Sequence, residues 1–137
     1  MALTHLLDTS VLTRLHQPAV REVIEPLAAA GRAARAGISD LEIGFSARNA
    51  SEWDLLTSAL AAFDLVETTA RHVQRARAVQ RLLAATNQRG RRIPDLLVAA
   101  AAEEAGLVVL HYDMDFDIIA AVTGQPGQWV TPPGTIN

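Results

Sequence analysis

The sequence predicts an α/β fold, a central mostly parallel sheet flanked by helices, and three observations carry that expectation. The stretches "THLLDTS" and "LVVLHY" are apolar runs too short for helices. Between them, longer segments repeat apolar side chains every three or four positions, the period of a helix buried on one face. Strands that alternate with helices pair in parallel, because each helix carries the chain back across the sheet. The 137 residues suit one domain over 1–137, which would bury roughly 70% of the surface its unfolded form exposes.

Taken in order, "THLLDTS" reads as a strand with Asp8 at its carboxyl end, and "SVLTRLHQ" as a helical start. "PAVREVIEPLAAAG" is helical from Pro18, with a break or kink expected at Pro26 because proline removes a backbone donor and clashes with the preceding turn. Gly31 marks a stop. "RAARAGIS" signals a strand weakly, and "SDLEIGFSARNA" is a helix with its polar start at Ser39. "SEWDLLTSALAAF" and "TARHVQRARAVQRLLAATNQRG" look like a helical layer joined by the short "LVE". "IPDLLVAAAAEEAG" is a helix with proline in its first turn and Gly106 at its end. Its alanines suit close packing, in the core or at a dimer interface. "LVVLHY" is a buried strand, "FDIIAAVTG" a closing helix and "QWVT" a final strand.

Composition excludes several chemistries. Half the residues are apolar and a fifth charged, an ordinary globular balance. Without cysteine there is no disulfide framework and no thiolate metal site. All 12 basic residues are arginine, which removes any mechanism needing a Schiff base, a P-loop lysine or a lysine base. The start "MALTHLLDTS" lacks a basic region followed by a long apolar one, and no 18 apolar residues run together, so a cytoplasmic location is expected. A net charge of -3 does not advertise nucleic-acid binding, so an RNA partner must be attracted locally. Arg89, Arg91 and Arg92 in "QRGRR" form one candidate patch, and Arg71, Arg75, Arg77 and Arg81 along a helix form another.

The carboxylates are the chemically informative residues. In open parallel sheets, sites form beyond the carboxyl ends of the strands. Asp8 and Asp113 end strands, and Glu42 and Asp95 open helices next to them. Each has an ordinary explanation. Ser39 to Glu42 matches a capping box, Asp95 complements a helix dipole, Asp115 or Asp117 suits the N-cap of the closing helix, and Asp8 suits a turn. Capping explains one acid per helix start and leaves the others over. Gathered carboxylates repel and lose hydration unless a cation compensates. Oxygen ligands favour magnesium, with manganese able to substitute. Zinc fits poorly, since His5, His16, His72 and His111 show no ligand spacing.

The set "LLDTSVLTRL", "ISDLEIGFSAR", "RIPDLLVAAAAEEAGLVVLHYDMDFDIIA" and "TGQPGQWV" resembles PIN-domain ribonucleases, specifically VapC-type toxins of bacterial VapBC toxin-antitoxin pairs. The resemblance spans nearly the whole chain and is weakest from about residue 50 to 88. It implies a PIN-like three-layer fold and a magnesium-dependent endoribonuclease that cleaves structured RNA such as transfer or ribosomal RNA. It also implies a cognate VapB-type antitoxin and a homodimer. Position by position, it makes Asp8, Glu42, Asp95 and Asp113 the catalytic acids and metal ligands, with Asp115 as an additional acid. Many relatives carry serine or threonine where this chain has His111.

Other readings are weaker. A haloacid-dehalogenase-type phosphatase needs a second aspartate two residues after its nucleophile and a lysine, and a response-regulator receiver also needs lysine. The alternative from another class is a PIN-like module that binds RNA or protein without cleaving.

Overall fold

In the computed structural model, which describes residues 2–88 and 92–137, five parallel strands form one sheet. They are β1 (His5–Leu7), β2 (Ala33–Ala36), β3 (Asp64–Val66), β4 (Val108–His111) and β5 (Gly127–Trp129). The helices are α1 (Thr9–Leu12), α2 (Pro18–Ala29), α3 (Gly37–Gly44), α4 (Ala50–Ser58), α5 (Ala70–Ala85), α6 (Ile93–Ala105) and α7 (Asp115–Thr123). Spatial order is β3-β2-β1-β4-β5. The chain builds outward from β1 through β2 and β3, then returns to the other side of β1 with β4 and β5. The reversal lies between β1 and β4, where the connections diverge and leave a crevice at the strands' carboxyl ends.

Period-two alternation sorts the strand side chains onto two cores. Leu6 of β1 and Val109 of β4 face one core, with α5, α6 and α7. Leu7 and Leu110 face the other, with α1, α2 and α3. Helix α6 is buried nearly all round, and Ala99 to Ala102 have almost no exposure. The alanine run is therefore core, and its small side chains let α6 lie close to its neighbours. Gly106 closes the helix in the left-handed region, at φ 70°. Ion pairs bind α5 to α6: Arg75 Nε meets Glu103 Oε1 at 2.6 Å, while His72 Nε2 lies 3.2 Å from Glu104 Oε2 and Arg71 Nε 3.5 Å from Glu104 Oε1. Arg75 is thus tied to the scaffold, while Arg71 stays largely exposed beside Glu104.

Three local expectations change. Helix α2 runs unbroken through Pro26. Pro26 and Glu22 are both exposed, so water can satisfy the Glu22 carbonyl that loses its donor. Helix α3 begins at Gly37, two residues before Ser39. Ser39 is therefore inside the helix, and no capping box ties it to Glu42. The stretch around "LVE" contributes the edge strand β3 and is not merely a connector in a helical layer. Among the described residues, no helix is long and apolar enough to cross a membrane.

The close packing of α6 carries a testable consequence. Ala102 is fully buried, so Ala102→Leu should overpack the core and lower stability by about 1–3 kcal/mol. Urea denaturation would measure it, and an unchanged midpoint would contradict the packing described.

Candidate active site

Four sequence-predicted acids meet at the crevice between β1 and β4. Asp8, Glu42, Asp95 and Asp113 line one cleft of about 320 Å³, together with Thr9, Ser10, Thr13, Arg14, Arg92 and Tyr112. Strand register explains the meeting. Leu7 lies opposite Leu110, so the two strands end side by side and deliver Asp8 and Asp113 to the same edge. Helices α3 and α6 start at that edge and bring Glu42 and Asp95.

Hydrogen bonds anchor one oxygen of Asp8, of Asp113 and of Glu42. Asp8 caps α1: its Oδ2 accepts the Ser10 amide at 2.9 Å. Its Oδ1 is buried and has no hydrogen-bond partner among the described residues. Asp95, in the first turn of α6, is 2% exposed, and its Oδ2 is likewise buried and unpartnered by hydrogen bonds. Asp113 Oδ1 accepts the Asp115 amide at 2.9 Å. Asp113 therefore takes the capping contact at the start of α7 that was expected of Asp115 or Asp117. Asp95, Asp113 and Asp115 present carboxylate oxygens within 4.8 Å of one another. Glu42 is fixed by Thr9, whose Oγ1 lies 2.6 Å from Glu42 Oε1 and 2.8 Å from Ser39 Oγ. A hydroxyl has one proton, so both contacts require Thr9 to donate to Glu42 and accept from Ser39.

Hydroxyl residues support the site in roles other than the helix capping that the sequence suggested for them. Thr9 and Ser39 hold Glu42. Ser10 joins the two strand ends, because its amide binds Asp8 and its Oγ accepts the Tyr112 amide at 2.9 Å. Thr9 and Ser10 directly follow Asp8 in "LLDTS", and that adjacency was the available signal. Arg14 points elsewhere: it donates to the Ser10 and Asn137 carbonyls and lies over the Tyr112 ring. Of the predicted RNA-binding arginines, Arg92 lines the cleft, while Arg89 and Arg91 lie outside the described residues.

His111 is packed beneath the site, between the Phe116 and Trp129 rings, each centred 5.0 Å away. Its Nδ1 accepts the Asp113 amide at 3.3 Å. Burial holds its pKa below the ordinary histidine range, against the opposing pull of Asp117 and Asp113. Asp117 accepts from Trp129 Nε1 at 3.0 Å, a structural contact in the first turn of α7.

Comparison with known proteins assigns the arrangement to a family. The PIN domain model matches residues 5–122. The chain belongs to the PIN-domain family. It is 67% identical to Ribonuclease VapC51 of Mycobacterium tuberculosis, over 100% of both chains. Its fold is that of VapBC from Salmonella typhimurium, solved bound to DNA, with a TM-score of 0.78 at 15% identity over 94% of this chain and 99% of that one. It also matches VapBC-5 of Mycobacterium tuberculosis, a member of the VapBC family of toxin-antitoxin systems. That match has a TM-score of 0.61 at 23% identity over 93% and 95% of the two chains.

Electrostatics set the state of this PIN-domain cleft. Burial pushes the Asp95 pKa up to about 8; the charges of Asp8 and Asp113 add to the rise, Arg92 opposes it, and a hydrogen bond with Asp115 contributes further. Burial also raises Asp8, helped by the Glu42 charge and opposed by hydrogen bonds from Ser10. A carboxyl raised in the folded state binds its proton more tightly there than in the unfolded chain. Its contribution to stability is complete at low pH and is lost as pH rises toward the folded value. In chelator, the melting temperature should therefore fall between about pH 7 and pH 8.5, above the range in which the buried His111 contributes the opposite slope, and Asp95→Asn should flatten that fall. A wild-type profile that rises across this window would contradict the burial and repulsion described.

Proposed function

We propose that this PIN domain, a single nuclease unit over 1–137, is the endoribonuclease toxin of a type II toxin-antitoxin pair and hydrolyses RNA with a divalent metal. The observation that carries the chemistry is the pair of buried oxygens, Asp8 Oδ1 and Asp95 Oδ2, that take no hydrogen bond among the described residues and lie in one cleft with Asp113. Ionising carboxyls that are held out of water costs several kcal/mol per ion. A hard cation relieves that cost, and an all-oxygen donor set fits magnesium or manganese. The 67% identity to a protein named as a ribonuclease supports RNA as substrate.

Asp8, Asp95 and Asp113 would hold the ion. Glu42 would join them directly or through water, its position set by Thr9, and Asp115 would be the additional acid. A divalent ion bound there supplies a water of lowered pKa and charge neutralisation at the scissile phosphate. The acids themselves repel RNA, so the metal serves both substrate affinity and chemistry. At the rim, Arg92 is the described arginine available to meet a phosphate, with Arg89 and Arg91 beside it in sequence. Resemblance favours a structured RNA, such as transfer or ribosomal RNA, in the cytoplasm.

The partner in this reading is a VapB-type antitoxin, with the toxin itself a homodimer. The likeness to VapBC structures supports it. An antitoxin segment that blocks this cleft would be expected to present a basic residue, because the cleft is acidic.

With magnesium, the purified protein should cut RNA, and chelator should stop it. Asp8→Asn and Asp95→Asn should each lower the rate by about a hundredfold or more while the far-ultraviolet spectrum stays native. Normal cutting by either variant would remove it from the catalytic set, and a protein that binds RNA without cutting would be a binding module. Expression alone should arrest growth, and co-expression of the partner encoded beside it should restore it. Growth unaffected by expression of a protein active in vitro would argue against the toxin role.

A further inference from the structure

Arg92 stands among the acids as a competing cation would. It immediately precedes α6, and its side chain is 62% exposed, so the guanidinium reaches inward from the rim. Its Nη2 donates to Asp113 Oδ2 at 2.6 Å, and its Nε lies 3.6 Å from Asp95 Oδ2. Those are the atoms the local structure leaves open. Asp113 Oδ1 already takes the Asp115 amide, while Asp95 Oδ2 is buried without a hydrogen bond among the described residues. Of the two arginines lining the cleft among the described residues, Arg14 is committed to backbone carbonyls and the Tyr112 ring. Arg92 alone of the two is paired with the acids.

We infer that Arg92 is a built-in competitor for the metal: its guanidinium and a divalent ion claim Asp113 Oδ2 and Asp95 Oδ2 in turn. The inference rests on reading the cleft as a metal site. Metal binding must displace Arg92 from the two aspartates, which lowers the affinity for the ion alone. Once displaced, Arg92 is at the rim where RNA phosphates arrive. RNA that holds the freed guanidinium then favours the metal-bound arrangement, and by linkage metal favours RNA to the same degree. The charge that keeps the acids tolerable in one state becomes a substrate contact in the other.

Calorimetric titration of the full chain with manganese at about pH 8, where most carboxyls are ionised, tests this directly. Arg92→Gln should bind manganese roughly five- to fiftyfold more tightly than wild type, the range of ordinary coupling between sites. In chelator the same variant should melt below wild type, and saturating manganese should shrink that gap. Arg92→Lys keeps the charge without the planar fork and should fall between the two, which preserves the comparison if Arg92→Gln folds poorly. Manganese affinity in Arg92→Gln equal to or weaker than wild type, with Asp95→Asn losing binding, would overturn the competition alone. Undiminished binding by Asp95→Asn would instead overturn the metal-site reading on which it depends.

Discussion

Carboxyl groups crowded into a buried crevice are the constraint around which this molecule is organised. Asp8 and Asp95 are buried beside each other and beside Asp113, and both are raised above the ordinary aspartate range chiefly by burial. Such an arrangement survives only because the surrounding scaffold is stable enough to impose it. The cost falls on the site, and the two apolar cores on either side of the sheet offset it.

Topology determines where that constraint lies. The chain reverses its direction of sheet growth between β1 and β4, so their ends are neighbours in space while about a hundred residues separate them in sequence. The Ser10 hydroxyl bridges them by accepting the Tyr112 amide. Beneath Asp113, the buried His111 ring accepts the Asp113 amide at Nδ1. Phe116 and Trp129 fill the space around it.

Much of this was legible in the sequence because burial writes itself as pattern. The run "LVVLHY" and the glycine-terminated helix before it had no plausible alternative, and the acids stood at the strand and helix ends where a parallel sheet collects them. What was not legible depended on contacts between distant residues. Strand β3 has exposed residues at Asp64 and Leu65, so it carries no apolar alternation and is recognisable only by its pairing with β2. The start of α3 was misplaced because Ser39 looks like a cap, whereas its hydroxyl serves Thr9 instead. Arg71 and Arg75 looked like a basic stripe until α6 supplied Glu103 and Glu104. The pairing of Arg92 with Asp113 spans 21 positions, beyond any local signal.

Helix α4 contributes no buried residue, although Trp53, Leu55 and Leu56 lie exposed along it. Surface substitutions of that kind usually change stability by no more than about 0.5 kcal/mol. The acids, by contrast, sit on the sheet and on helices that the cores hold fast. The molecule therefore separates a buried chemical interior from an outer helix that touches it through few side chains, among them Trp53, which lies against Gly44 of α3.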